Sequence, residues 1–185
     1  MRALFHIGAR WKEVTTFLFI LVGGSSLWIY SEYKSAEADV AAIVVARSGP
    51  YEVIEVVDGD TIKVEIRGEV EAIRLIGIDS PELFEAIPEC FAEEAYIQAR
   101  GLLLGTSVML ERDPSQDERD IYGRLLAYVI TDNGQNFNWY MLEKGYAREY
   151  THVSPYSLQQ EFKQAEADAK ASGLGMWGER VCEVG

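Results

Sequence analysis

The sequence predicts an α+β domain: a barrel of five β-strands with about three helices, preceded by an apolar N-terminal helix. Three observations predict it. Residues 60–66 alternate, with Ile62, Val64 and Ile66 on one face and Thr61, Lys63 and Glu65 on the other, the period of a half-buried strand. Apolar runs of strand length flank that segment, and two more follow later in the chain. The block "PECFAEEAYIQARGLLLG" between the two groups carries helical rather than alternating spacing.

The elements follow in order. Met1–Glu13 carries Arg2, Arg10 and Lys12, and Val14–Tyr30 then contains no charge. Seventeen residues make roughly 25 Å of helix, near the lower limit for crossing a bilayer. Trp28, Tyr30 and Tyr33 sit where aromatic rings favour the membrane interface, and the positive flank comes first. That order predicts residues 1–13 in the cytoplasm, 14–30 as a signal anchor, 31–49 as a linker and 50–185 as an exported domain. Ala36-Glu37-Ala38 offers the competing reading of a cleavable signal peptide, which would leave the domain secreted or periplasmic.

Within the domain, residues 51–57, 60–66 and 70–78 predict three strands of a meander, the last two joined by a turn at Arg67-Gly68-Glu69. The helical block places Phe91, Ala95, Gln98 or Ala99, and Leu102 on one face, with Gly105 as its stop. Ser107–Arg112 and Arg124–Ile130 predict the fourth and fifth strands. Asn138 is the expected cap of a short helix ending before Gly145, and Ser157-x-x-Gln160 is a capping-box pattern for a last helix ending at Gly173. Five strands with a helix between the third and fourth is the element order of an oligonucleotide-binding-fold barrel.

With 48% hydrophobic and 25% charged residues the chain can bury a core. The net charge is −13, and from Pro50 onward 12 Lys and Arg face 26 Asp and Glu. Acidity on that scale excludes a passive nucleic-acid coat, which binds through clustered Lys and Arg. Cys90 and Cys182 belong to no CxxC or Cys/His cluster, which argues against zinc. In an oxidising compartment they are candidates for a disulfide, against the plainer reading of two unpaired small apolar residues.

The acidic residues of "VVDGDTIKVEIRGEVEAIRLIGIDSPE" invite a chemical reading. If strands 60–66 and 70–78 pair through Gly68, Asp60 and Asp79 lie at the same end, and Glu82 follows three residues later. Converging carboxylates repel unless a cation sits between them, and oxygen-only donors favour Ca²⁺ or Mg²⁺. Arg74 and Arg124 add guanidinium groups, which match phosphate oxygens with paired hydrogen bonds. Each piece has a plain alternative when taken singly. Asp58-Gly59-Asp60 is also a turn, Arg74 also an ion-pair candidate for Glu65 or Glu71, Arg124 also a strand-edge charge, and Trp177 also a core residue.

Taken in order, "VVDGDTIKV", "IRLIGIDSPE", "DIYGRLLAYV" and "AEADAKASGLGMWG" resemble the thermonuclease family typified by staphylococcal nuclease, over roughly residues 51–178. The resemblance implies a monomeric, Ca²⁺-dependent nuclease acting on single-stranded DNA and RNA. It implies Asp60, Asp79 and the Ser80 carbonyl as metal ligands, Glu82 as general base, Arg74 and Arg124 as phosphate clamps, and Asp58 in support. Tyr122, Tyr150 and His152 are candidates for substrate contact, with Tyr156 beside them. This chain departs from the pattern in its acidity and in carrying Ile121 where the family often has Lys. Weaker substrate affinity and steeper metal dependence are the expected consequences. The competing function is a catalytically weak or inactive barrel that binds nucleic acid or protein at the cell envelope.

Overall fold

The structure, a computed structural model, describes residues 47–179, 181 and 182. Strands β1 (Arg47–Val56), β2 (Thr61–Ile66), β3 (Glu69–Leu75), β5 (Ser107–Glu111) and β6 (Leu125–Ile130) close into a barrel in the order β1-β2-β3-β6-β5. Closure depends on β1, the longest strand, which pairs antiparallel with β2 and with β5. Its register slips between Val53 and Glu55 and between Ser48 and Tyr51, and such irregularities let one strand bend across two neighbours. The β3–β6 seam is parallel, and the other barrel pairings are antiparallel. Arg67 (φ 56°) and Gly68 (φ 83°) form the tight β2–β3 turn, with Ile66 opposite Glu69. A second, two-stranded sheet pairs β4 (Ile78–Asp79) with β7 (Arg148–Glu149).

The five-stranded barrel is the one the order of elements predicts, but several details differ. The third strand ends at Leu75, not at 78, because Gly77 turns the chain at φ 80° before β4 begins. A Cβ on Gly77 would sit 2.6 Å from the Tyr156 ring and 2.8 Å from Phe162. Helix α1 (Ala92–Leu103) turns Ala92, Ala95, Ala99 and Leu103 inward. Leu102, expected inside, is 41% exposed, and Phe91 stands outside the helix at φ 72° with its ring stacked on Tyr146.

Helix α2 (Phe137–Glu143) is capped by Asn136, whose side chain accepts the Trp139 N–H at 3.1 Å. Asn138 is instead fully buried. It accepts the Val129 N–H and donates to the Ile76 and Ala127 carbonyls, so it joins β6 to the turn after β3. Helix α3 (Gln159–Ala171) starts without the expected capping box, since the Ser157 hydroxyl donates to Asp113. Its Phe162, Ala165 and Ala169 do face the core.

Cys90 and Cys182 form a disulfide with a Cα–Cα distance of 5.7 Å across 92 residues of sequence. Among the described residues no helix is long and apolar enough to cross a membrane. The apolar segment 14–30 lies outside them.

Candidate active site

The Asp58-Gly59-Asp60 turn sits at the mouth of β2. The Val57 and Asp58 N–H groups both reach the Thr61 carbonyl, and Asp58 Oδ1 accepts the Asp60 N–H at 2.9 Å. Asp60 is 5% exposed and tied on three sides. Its Oδ2 accepts the Ser80 N–H at 2.8 Å, its Oδ1 accepts the Thr61 hydroxyl at 3.0 Å, and its carbonyl accepts the Leu75 N–H. Gly59 permits this closeness, because a Cβ there would lie 2.7 Å from the Ser80 Cβ.

Thr61 pairs with Arg74 across the β2–β3 ladder, so Arg74 emerges beside Asp60. Arg74 Nη1 donates at 2.7 Å to the carbonyls of both Leu75 and Ile78, holding the guanidinium flat against the turn at Gly77. Its Nε lies 3.2 Å from Asp60 Oδ1 and its Nη2 3.2 Å from Asp79 Oδ1. One side chain therefore bridges the two aspartates that the hairpin argument brings to one end. Neither Glu65 nor Glu71 is its partner. Glu71 pairs with Arg119 at 2.9 Å.

These residues form one wall of a cavity of about 510 Å³. Arg124, just before β6, lines the same cavity. Its Nε donates to Asp120 Oδ2 at 2.6 Å, its Nη1 is 3.4 Å from the Thr61 hydroxyl, and the Tyr122 ring centroid is 5.5 Å from its guanidinium carbon. Asp120 Oδ1 also accepts the N–H groups of Tyr122 and Arg124, which ties the Tyr-Gly-Arg turn to one carboxylate. With Nε on Asp120 and Nη1 on the Thr61 hydroxyl, Nη2 is the Arg124 nitrogen without a hydrogen-bond partner among the described residues.

Ile121 (85% exposed), Tyr122 (77%) and Val153 (84%) rim the opening. Tyr150 and His152 line it as a hydrogen-bonded pair, with the Tyr150 hydroxyl 2.9 Å from His152 Nδ1. Tyr156 is different. It is buried and its hydroxyl donates to Glu149 at 2.9 Å, so it forms floor rather than rim.

Six carboxylates (Asp58, Asp60, Asp79, Glu82, Asp117 and Asp120) and three guanidinium groups (Arg74, Arg119 and Arg124) line this cavity. Two of the three arginines are already paired with Glu71 and Asp120. Arg74 pairs with Asp60 and Asp79, and Arg148 adds a weaker positive influence on Asp79. The imbalance shows in carboxylate protonation. Burial, with the Asp60 charge adding to it, pushes Asp58 up to about 7. Burial and then Asp60 also raise Asp79, and burial followed by the charges of Asp60 and Asp79 raises Glu82.

No group of three or more His, Cys, Asp or Glu side chains among the described residues is drawn into a ready-made metal cage. The oxygen-only donor set and its surplus negative charge nevertheless fit a hard divalent cation.

Comparison with known proteins shows where this arrangement recurs. Residues 72–179 match the family described as "Staphylococcal nuclease homologue". This chain belongs to the staphylococcal nuclease homologue family. An uncharacterized protein of Methanocaldococcus jannaschii is 34% identical over 81% of this chain and 79% of its own length. The thermonuclease of Staphylococcus hyicus is 32% identical over 90% of this chain and 98% of its own. The SPbeta prophage-derived endonuclease YokF of Bacillus subtilis is 37% identical over 65% of this chain and 41% of its own length.

Within this family member, sequence reasoning overlooked two acids. Asp120 lies four residues before Arg124, a spacing that signals the ion pair it makes. Asp113 is 4% exposed and accepts hydrogen bonds from Tyr128 at 2.6 Å, from Ser115 and from Ser157. Nothing local in "ERDPSQ" announces those partners.

Proposed function

We propose that this domain is a monomeric Ca²⁺-dependent nuclease that hydrolyses phosphodiester bonds of single-stranded DNA or RNA. The observation that carries this reading is the Arg74 bridge between Asp60 and Asp79, with Glu82 and Arg124 on the walls of the same cavity. The names of the Staphylococcus hyicus and Bacillus subtilis relatives, a thermonuclease and an endonuclease, support it. Calcium held by Asp60, Asp79 and the Ser80 carbonyl would offset the carboxylate surplus and polarise a phosphoryl oxygen.

The chain's own groups do the rest. Glu82, whose basicity is raised by burial and then by its acidic neighbours, takes a proton from the water that attacks phosphorus. Arg124 presents its Nη2 to the phosphate, and Asp120 fixes the direction of the guanidinium. Arg74, with Nη1 anchored on two backbone carbonyls and its Nε–Nη2 edge against Asp60 and Asp79, adds fixed positive charge beside the phosphate. Guanidinium pKa values above about 12 make both arginines electrostatic clamps rather than acids. The bond to the 5′ oxygen breaks, that oxygen leaves as a hydroxyl by taking a proton from solvent, and a 3′-phosphate remains. The exposed rim of Tyr122, Tyr150 and His152 meets the flanking nucleotides, since rings stack on unpaired bases.

The test is cleavage of single-stranded DNA and RNA oligonucleotides in Ca²⁺, in Mg²⁺ and in chelator. Cleavage that needs Ca²⁺ supports the reading, and binding without cleavage replaces it with a binding module. For the same protein we propose that Val14–Tyr30 anchors the exported domain, checked by whether the enzyme stays with washed membranes.

A further inference from the structure

We infer that the Cys90–Cys182 disulfide is a positioning element for Glu82, so that turnover depends on oxidation of this pair. The inference rests on the proposed role of Glu82 as general base. Between Glu82 and Cys90 only Leu83 is partly buried, and Phe84 and Ile87 are 73% and 82% exposed. Burial therefore does little to fix this loop. Its near end is secured by Ser80 on Asp60. Its far end folds back, with the Glu89 N–H donating to the Glu82 carbonyl at 2.9 Å.

The residue after Glu89 is Cys90. The disulfide joins it to Cys182, which follows the short 3₁₀ helix Gly175–Trp177. That helix is fastened to the end of α2 by the Met176 N–H on the Gly145 carbonyl at 2.9 Å. A continuous path thus runs from α2 through the disulfide to the backbone of Glu82. Other holds on this end are the Glu82 N–H on the Glu89 carboxylate at 3.4 Å, the Ala92 N–H on the Glu89 carbonyl at 3.2 Å, an edge contact of Phe84 with Tyr96 (6.1 Å between centroids), the Phe91–Tyr146 stack and a 3.9 Å ion pair of Arg148 with Glu89. An exposed pair at that distance contributes little.

A general base has to sit within hydrogen-bond reach of its water, and a displacement of about 1 Å can cost a hundredfold in rate. Oxidation takes two electrons and two protons from the two thiols. A disulfide-bearing oxidant accepts them and leaves as a dithiol. In a reducing compartment the same chain keeps its barrel and its aspartates, but the base is loosely held.

The experiment compares three forms of the full-length protein. These are the oxidised protein, the protein reduced with dithiothreitol, and a Cys90→Ser/Cys182→Ser variant. kcat and KM on a single-stranded DNA oligonucleotide, Tm, and hydrogen exchange of the Glu89 amide are read for each. Leu110→Ala, a buried residue of β5 outside the cavity lining, serves as a variant destabilised for another reason.

The expected result is a kcat about tenfold lower in the reduced and Ser forms, with KM within about twofold, Tm still above the assay temperature and faster Glu89 exchange. Reoxidation restores the wild type, and Leu110→Ala lowers Tm with kcat kept. Unchanged kcat in the reduced form overturns the inference, as does a loss matched by Leu110→Ala at equal Tm. If the oxidised protein cleaves nothing, the nuclease reading fails separately. Glu89 exchange that does not respond to reduction then overturns the positioning role as well.

Discussion

Two acidic centres of this domain, one buried and one opening onto the cavity, solve opposite problems. Asp113 is an acid with every need met. Burial alone would raise it, but hydrogen bonds from Tyr128, Ser115 and Ser157 win and pull it down to about 2. The cluster of Asp58, Asp60, Asp79 and Glu82 has one arginine between its members, and burial with mutual repulsion holds Asp58 near 7. A satisfied carboxylate stabilises the fold, whereas an under-compensated cluster stores repulsion that the proposed cation would relieve. The difference separates an acid that holds the structure from acids whose charge is left in search of a partner.

The sharpest break of that comparison is Glu82→Gln. It should lower kcat by about 10²–10⁴-fold, the usual contribution of a general base, with Tm unchanged. Steady-state cleavage and calorimetry on the same sample check it. Asp113→Ala should do the reverse. Three donor side chains lose their acceptor, so stability falls by about 3 kcal/mol, while kcat per folded molecule is kept.

The pH dependence follows the sign of the Asp113 shift. Its folded pKa lies below the ordinary 3.8, so its contribution is complete above about pH 4 and is lost as pH falls through 2. That loss is about 2 kcal/mol, and urea titrations should show it missing from the Asp113→Ala variant.

Calcium at a hundred times its dissociation constant should stabilise the wild type by about 2.7 kcal/mol, and chelation should remove this. Asp113→Ala should retain the increment in thermal melts, and Asp79→Asn should lose most of it. The smallest effect belongs to the rim. Ile121→Lys should lower KM for single-stranded DNA by roughly threefold at low salt, with the gain vanishing at high salt as counterion release predicts.

Much of this was legible from residues alone where local pattern carries the information. The alternation of Ile62 and Val64 set the barrel strand, and the turn at Gly68 put Asp60 and Asp79 at one end. Positions decided by distant partners were not legible. Asn138 looks like a helix cap and is a buried strut. Ser157 looks like a capping box and serves Asp113. Leu102 and Leu103 are chemically alike, and only the packing of α1 selects Leu103. Asp120 was readable in principle, from its four-residue separation to Arg124.

Gly77 joins the two halves of the molecule in one residue. Arg74 and Asp79 stand on either side of its turn, while Tyr156 and Phe162 press against its bare Cα. Anyone retargeting this scaffold by directed evolution therefore has no latitude there, since a methyl group would disturb the cavity floor and the catalytic spacing together. Diversity belongs instead at Ile121, Tyr122 and Val153, whose side chains project into solvent and can be randomised without touching the frame.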